Sequence, residues 1–442
     1  MAGTIFLVAA NLRPAITSFG PVVGLIARHT GLSSAELGVL GALPLLAFAA
    51  VSPFVHILSR RVGAERAVLQ ALLALIAGTA LRSWPGSGLH LWIGTALVGV
   101  GIAVCNVLVP TFVKREFAHN IALMTGAYTT VMSGSAALGS GLAMPIATAA
   151  GWPAALGVWA VPAVVAAAFW ATRFRDPAPA APAAPDSQDL ASRPSGAMWT
   201  SAVAWQVALF MGAQSTTFYL LVTWLPSIET SVDVPAVAAG WHLFSFQGCG
   251  ILAGLGVTAF MHRRADLRLI GAGTGLLMAT SMFGLLAEPR LALLWVILSG
   301  LSSGSALVVA LTLVGLRART AADTGRLSGM AQGAGYLLAA TGPSGAGLLF
   351  QATGRWTPVV LAVVTVALAQ SVIAVFAGRP RFTHPEARHG SVPRPPRAST
   401  DATVAARPAA ASPQTSRVTG PPSKPHRPEA PREGSPATPE NA

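Results

Sequence analysis

Runs of about 20 predominantly apolar residues recur along this chain from one end to near the other, and that pattern leaves little choice of fold. A run of this length crosses the roughly 30 Å hydrocarbon core of a bilayer as an α-helix, where every backbone N–H and C=O must be bonded internally. Spans are expected at 3–27, 36–58, 66–83, 89–113, 121–143 and 152–171, and then at 201–225, 237–261, 268–286, 291–315, 327–350 and 356–377. Of the 442 residues only 10% are charged and 53% are hydrophobic, against roughly 25% charged in an ordinary soluble domain. The expected fold class is an all-α polytopic membrane protein with twelve transmembrane helices. Several spans contain Gly or Pro, among them Pro44, Pro53, Pro110, Gly248, Gly254 and Pro343; membrane helices tolerate these where neighbours satisfy the freed backbone groups. The first dozen residues lack Lys and Arg, so no signal peptide is expected.

The short connections set the orientation. With both termini cytoplasmic, the cytoplasmic side carries Arg60, Arg61, Arg66, Lys114, Arg115, Arg173, Arg175, Arg193, Arg263, Arg264, Arg268, Arg317, Arg319 and Arg326. The outer side carries Arg28, Arg82, Arg290 and Arg355, a clear positive-inside bias. The net charge of +13 therefore reports topology and anionic lipid contact, and no nucleic-acid partner is expected. Cys105 and Cys249 fall in different spans, which argues against a disulfide, and no metal or cofactor is expected.

Two polar stretches divide the chain. Residues 172–199 read as a Pro- and Ala-rich cytoplasmic linker between an N-terminal half, 1–171, and a C-terminal half, 200–377. Residues 378–442 have no apolar periodicity and read as a disordered cytoplasmic tail. At a shift of 203 positions, Arg60 and Arg61 fall on Arg263 and Arg264, Gly101 on Gly304, Gly126 on Gly329 and Gly139 on Gly342. Loop charges and helix glycines repeating at one shift imply two six-helix pseudo-repeated halves with a site between them near the membrane midplane.

The chemistry centres on the segment "VAANLRPAITSFG". At about 1.5 Å per residue, Arg13 lies some 15 Å into its span, where a charge costs about 2.5–3.5 kcal/mol unless it faces protein or water. Pro14 has no N–H and frees the Ala10 carbonyl, so a bend is expected there. No Asp or Glu is expected inside any span, with Glu36 at a helix entrance and Glu229, Asp233 and Glu288 in outer loops. An unmatched guanidinium suits an anion or an electron-rich ligand, because it offers a permanent charge and a planar fork of donors. Other candidate ligand groups at span depth are Asn11, Thr17, Asn106, Tyr128, Gln214, Thr217, His242, Gln247, Gln332 and Tyr336; helix-to-helix bonding is the competing role for each. The loops "HILSRRVGAERA" and "FVKREFAHN" offer candidate gating charges: Arg60, Arg61, Glu65, Arg66, Lys114, Arg115 and Glu116, with Arg263 and Arg264 in the second half.

Twelve spans, a central linker and "LSRRVGAERA" after the second span resemble the major facilitator superfamily. Arg61, Gly63 and Arg66 fit its loop signature, whereas Arg60 stands at the usual acidic position. More specifically, "NLRPAITSFGP", "GVGIAVCNVLVPTFVKREF" and "LMTGAYTTVMSGSAALGSGLA" resemble the cyanate and 2-nitroimidazole transporter family. The resemblance implies the major facilitator fold and a monomeric, multi-pass secondary transporter of the bacterial inner membrane. Its cargo would be a small anion or small polar organic solute, moved by alternating access as a symporter or antiporter with proton coupling left open. A multidrug-type efflux pump is the alternative within the superfamily, and a membrane sensor or structural protein is the alternative outside it. An enzyme is not expected: there are no paired carboxylates, no HExxH, no Gly-x-Ser-x-Gly and no Cys/His cluster with ligand spacing.

Overall fold

The first apolar run is interrupted at the segment that carries its charge. It consists of α1 (Ala2–Ala10), a single turn α2 (Pro14–Thr17) and α3 (Phe19–Thr30), with the two long arms bent by 45°. Pro14 begins the short turn, where its missing N–H costs nothing, and Asn11 to Arg13 form the break. These coordinates are a computed structural model that describes residues 2–85, 88–174, 196–261 and 266–383. Most of the expected linker and tail, together with Arg263 and Arg264, lies outside the described residues.

The chain then continues through α4 (Ser34–Val51), α5 (Val55–Val62), α6 (Ala64–Arg82), α7 (Gly88–Glu116), α8 (Ile121–Gly157) and α9 (Ala160–Ala171). The second half contains α10 (Gly196–Trp199), α11 (Ala202–Thr230), α12 (Ala236–Met261), α13 (Arg268–Ala287), α14 (Ala292–Arg317), α15 (Ala321–Thr353) and α16 (Thr357–Ala377). Local chemistry sets several ends. Ser33 and Glu36 close a reciprocal capping box at the start of α4. Gly31 and Gly354 end α3 and α15 at φ of 71° and 66°, in the left-handed region that only glycine adopts freely. The expected fifth span runs well past its predicted end, up to Gly151 at φ 82°, where α8 turns towards the sixth.

Nine helices among the described residues are long and apolar enough to cross a membrane, ten with the bent first pair. One of them, Leu123–Ala171 at 49 residues, is two spans joined at Gly151. The remaining span is α15, diluted below the apolar threshold by Gly, Ser, Gln and Thr. The twelve spans of the major facilitator fold are thereby accounted for.

Within the first half α6 packs on α7, and within the second α12 packs on α14 and α13 on α16. The halves meet through α4 with α15, α8 with α12, and α3 with α11. Glycines permit this closeness. A Cβ on Gly20 would overlap the Val222 carbonyl, one on Gly347 would overlap the Ser34 carbonyl, and one on Gly38 would sit 2.5 Å from the Pro343 oxygen. Those contacts lie towards the arginine-poor end of the bundle. The α4–α15 seam runs from there to an edge-on contact of Phe48 with Tyr336, ring centres 5.6 Å apart. Beyond it, towards the arginine-rich end, Cβ atoms on Gly325, Gly329 and Gly333 of α15 would meet nothing within 4 Å. The seam is sealed at one end and parted at the other.

Candidate functional site

Arg13 stands where the sealed seam gives way to the parted one. The break between α1 and α2 turns its side chain across the seam, and Nη1 donates to the Tyr219 hydroxyl on α11 at 2.8 Å. That bond joins the two halves. Tyr219 is buried at 5% exposure and Arg13 is half-buried, so the bond lies inside the bundle at the meeting of the halves. Tyr219 packs edge-on against Phe218, which stacks with Phe246. Tyr336, four residues beyond Gln332 on α15, and Tyr128 on α8 each pack at the edge of the apolar cluster that holds Tyr219. All three tyrosines of the chain thus belong to or border that one cluster. Among the described residues no carboxylate bonds to Arg13. Its donors, framed by phenol rings, can grip a small acceptor-rich group.

The other expected ligand residues divide. Asn106 and Tyr128 are half-buried and make no hydrogen bond among the described residues. Gln332 is exposed at the parted end of the seam and bonds only Ser328 Oγ, at 2.9 Å on its own helix. Those three and Tyr336 remain in the candidate site.

Several do not. Asn11 donates to the Leu7 carbonyl at 2.7 Å and the Pro162 carbonyl at 3.2 Å, satisfying backbone freed by the break. Thr17 and Gln247 both donate to the Ala136 carbonyl, at 2.7 and 3.0 Å, and Gln247 also bonds Ser140 Oγ. Thr17 thus ties α2 to α8 within the first half, Gln247 ties α12 to α8 across the seam, and neither has a donor to spare for a solute. Gln214 bonds Ser215 and Met211 within α11. Thr217 bonds the Gln214 carbonyl and lines a separate crevice of about 240 Å³ between α11, α15 and α16.

His242 is also elsewhere. Its Nδ1 lies 2.6 Å from Glu229 Oε1 near the sealed end. Glu229 itself corrects an expectation: it is in the last turns of α11, fully buried, and not in an outer loop. The Val232 and Val234 amides bond its main-chain oxygen, folding the following turn over it. Arg82 is a second correction, since it closes α6 at 2% exposure and donates from Nη1 to the Ala15 carbonyl at 2.6 Å. Arg13 is therefore not the sole buried guanidinium of the bundle.

Among the gating candidates, Arg60, Arg61, Arg66 and Lys114 are exposed. Glu65 pairs with Arg115 at 2.6 Å, Arg115 reaches Glu116 at 3.2 Å, and Glu116 pairs with Arg173. Arg173 also stacks over Trp170 at 4.4 Å, and the Trp170 indole donates to the Glu65 carbonyl at 3.0 Å. The network ties α6, α7 and the end of α9 within one half. Arg173 had been expected only as a topology charge.

The comparisons with known proteins bear on the family and the fold. The Major Facilitator Superfamily profile matches residues 5–320. The chain is 38% identical over 376 residues to the 2-nitroimidazole transporter of Escherichia coli (strain K12), covering 85% of this chain and 94% of that protein. It is 27% identical over 354 residues to the cyanate transport protein of the same organism, covering 79% and 90%. Among solved structures, the crystal structure of a D-xylose-proton symporter matches with a TM-score of 0.68 at 13% identity, over 84% of this chain and 96% of that one. A bacterial homologue of the human lysosomal transporter Spinster, inward-facing and unoccupied, matches at 0.69 and 12%, over 85% and 94%.

Proposed function

The chain belongs to the major facilitator superfamily, and we propose that within it this multi-pass membrane protein carries a small anion or small, acceptor-rich polar solute gripped by Arg13. The observation that carries this reading is the Arg13 guanidinium held across the seam by Tyr219, with no carboxylate bonded to it among the described residues. Cyanate is a compact monoanion, and the nitro group of a nitroimidazole presents two oxygens in one plane. Either matches the fork of an arginine better than the point charge of a lysine. The names of the two relatives support the same class of cargo.

The arginine-rich end is the cytoplasmic one in this proposal, with both termini cytoplasmic in a bacterial inner membrane and the monomer as working unit. The sealed outer seam and parted inner end are then the inward-facing member of an alternating-access pair, with the halves 1–171 and 200–377 rocking about the Arg13 level. The solute would enter past Gln332 and Asn106 to reach Arg13, Tyr336 and Tyr128. The exposed loop arginines and the Glu65–Arg115–Glu116–Arg173 network would hold the inner end of the first half rigid while it moves.

Uptake of labelled cyanate and 2-nitroimidazole into cells expressing the wild type or Arg13→Ala tests the proposal. The variant is expected to reach the membrane in normal amount and to carry neither solute above background. Wild-type rates in the variant would overturn it.

A further inference from the structure

Eight buried side-chain nitrogen or oxygen atoms lack a hydrogen-bond partner among the described residues, and five of them belong to Ser18, Thr79, Arg82 and Trp159. Unpaired buried polar atoms are costly and scarce in folded proteins, so their concentration in four residues asks for a cause. These residues come together. Arg82 Nη1 reaches the Ala15 carbonyl, leaving Nε and Nη2 vacant. Thr79 lies one turn before Arg82 on the same face of α6, and Ser18 lies one turn beyond Ala15. A Cβ on Gly157 would stand 3.3 Å from Ser83 Oγ, which brings the α8–α9 turn carrying Trp159 to the same end of α6. Ser18, Thr79 and Arg82 are 0%, 1% and 2% exposed.

The chemistry of the vacant atoms is one-sided. Guanidinium and indole N–H groups only donate, hydroxyls donate or accept, and the nearby acceptor Ala15 is already taken. The acidic residues of this half are engaged elsewhere: Glu36 with Ser33, and Glu65 and Glu116 with Arg115 and Arg173. A water molecule would satisfy some donors and leave the buried charge unbalanced. We propose that Arg82, Thr79, Ser18 and Trp159 enclose a site for a small monovalent inorganic anion of halide size.

This site is separate from the transport path and does not rest on the proposed cargo. Ala15 is two residues along from Arg13, so the two guanidinium groups approach the broken segment from different sides. The bound anion would neutralise Arg82 and brace the α2 turn, and the aim of Arg13 depends on that turn.

The test is the thermal stability of the purified protein in chloride, bromide or gluconate at constant ionic strength. A halide at about ten times its dissociation constant is expected to raise the melting temperature by about 2–4 °C over gluconate. Thr79→Val, which keeps volume, with Trp159→Phe, which removes the indole N–H at the cost of a smaller ring, is expected to weaken the halide response at least about tenfold. Arg82→Gln should abolish it, and Arg13→Gln should leave it. A bromide anomalous peak beside Arg82 Nε is expected in crystals. Equal melting in halide and gluconate, loss of the response in Arg13→Gln alone, or only water beside Arg82 would overturn the proposal.

Discussion

Tyr219→Phe removes one oxygen from the molecule, and the structure says what that oxygen does. It accepts from Arg13 Nη1 at 2.8 Å, the one side-chain hydrogen bond of that guanidinium among the described residues. A hydrogen bond to a charged group contributes about 1.5–3 kcal/mol. Arg13 as a residue is half-buried and not fully enclosed, so the lower end, about 1.5 kcal/mol, applies. The ring itself stays packed on Phe218, so the fold should be unaffected. What changes is the aim of the fork, which now swings between water and solute. At about 1.4 kcal/mol per tenfold, binding of 2-nitroimidazole should weaken about tenfold. The assay is isothermal titration of the detergent-purified wild type and variant, with matched melting temperatures as the control for folding. An affinity within twofold of wild type would refute the claim that Tyr219 orients the ligand-binding arginine.

Other outcomes follow from neighbouring parts of the structure. Gly20→Ala places a methyl group against the Val222 carbonyl across the seam; overpacking of about 1–3 kcal/mol should favour the outward-open arrangement. Labelling of a cysteine introduced at Thr223 by a membrane-impermeant maleimide should rise at least about fivefold in that background. Glu229→Gln removes the carboxylate from its fully buried contact with His242. The neutral amide is a weaker acceptor for the imidazole, and a loss of about 1–2 kcal/mol should appear as a lower melting temperature. Arg173→Ala leaves Glu116 with only Arg115 at 3.2 Å; a loss of about 1–3 kcal/mol should appear as a lower melting temperature.

Helix number is written in apolar run length, because a bilayer admits few backbone arrangements. Even α15, too polar for a composition threshold, was visible from its place in the repeat. The break at Asn11–Arg13 was legible from Pro14 alone. Side-chain rotation was less so. Thr17, Gln214, Thr217 and Gln247 have the right depth and polarity for a ligand site, yet each bonds a carbonyl or a neighbouring side chain. Depth along a helix does not determine which face meets the cavity.

The ends of long spans misled in the opposite way. Helix α11 has 29 residues, more than the roughly 20 that cross the core. Glu229 therefore resembled a loop residue although the turn to α12 buries it, whereas Arg82, at the end of the 19-residue α6, is drawn inward by its bond to the Ala15 carbonyl. Tyr219 carried a signal that went unused, since tyrosine occurs only three times in the chain and the other two had already been singled out.

The central claim is that Arg13 supplies the donors that hold the transported solute. Equilibrium binding of 2-nitroimidazole and cyanate to purified wild type, Arg13→Lys and Arg13→Ala measures it without reference to gradients or expression. The account predicts saturable binding in the wild type, a loss of at least about tenfold in Arg13→Lys, where charge remains but the fork is gone, and no measurable binding in Arg13→Ala. Binding of equal strength in all three would contradict it.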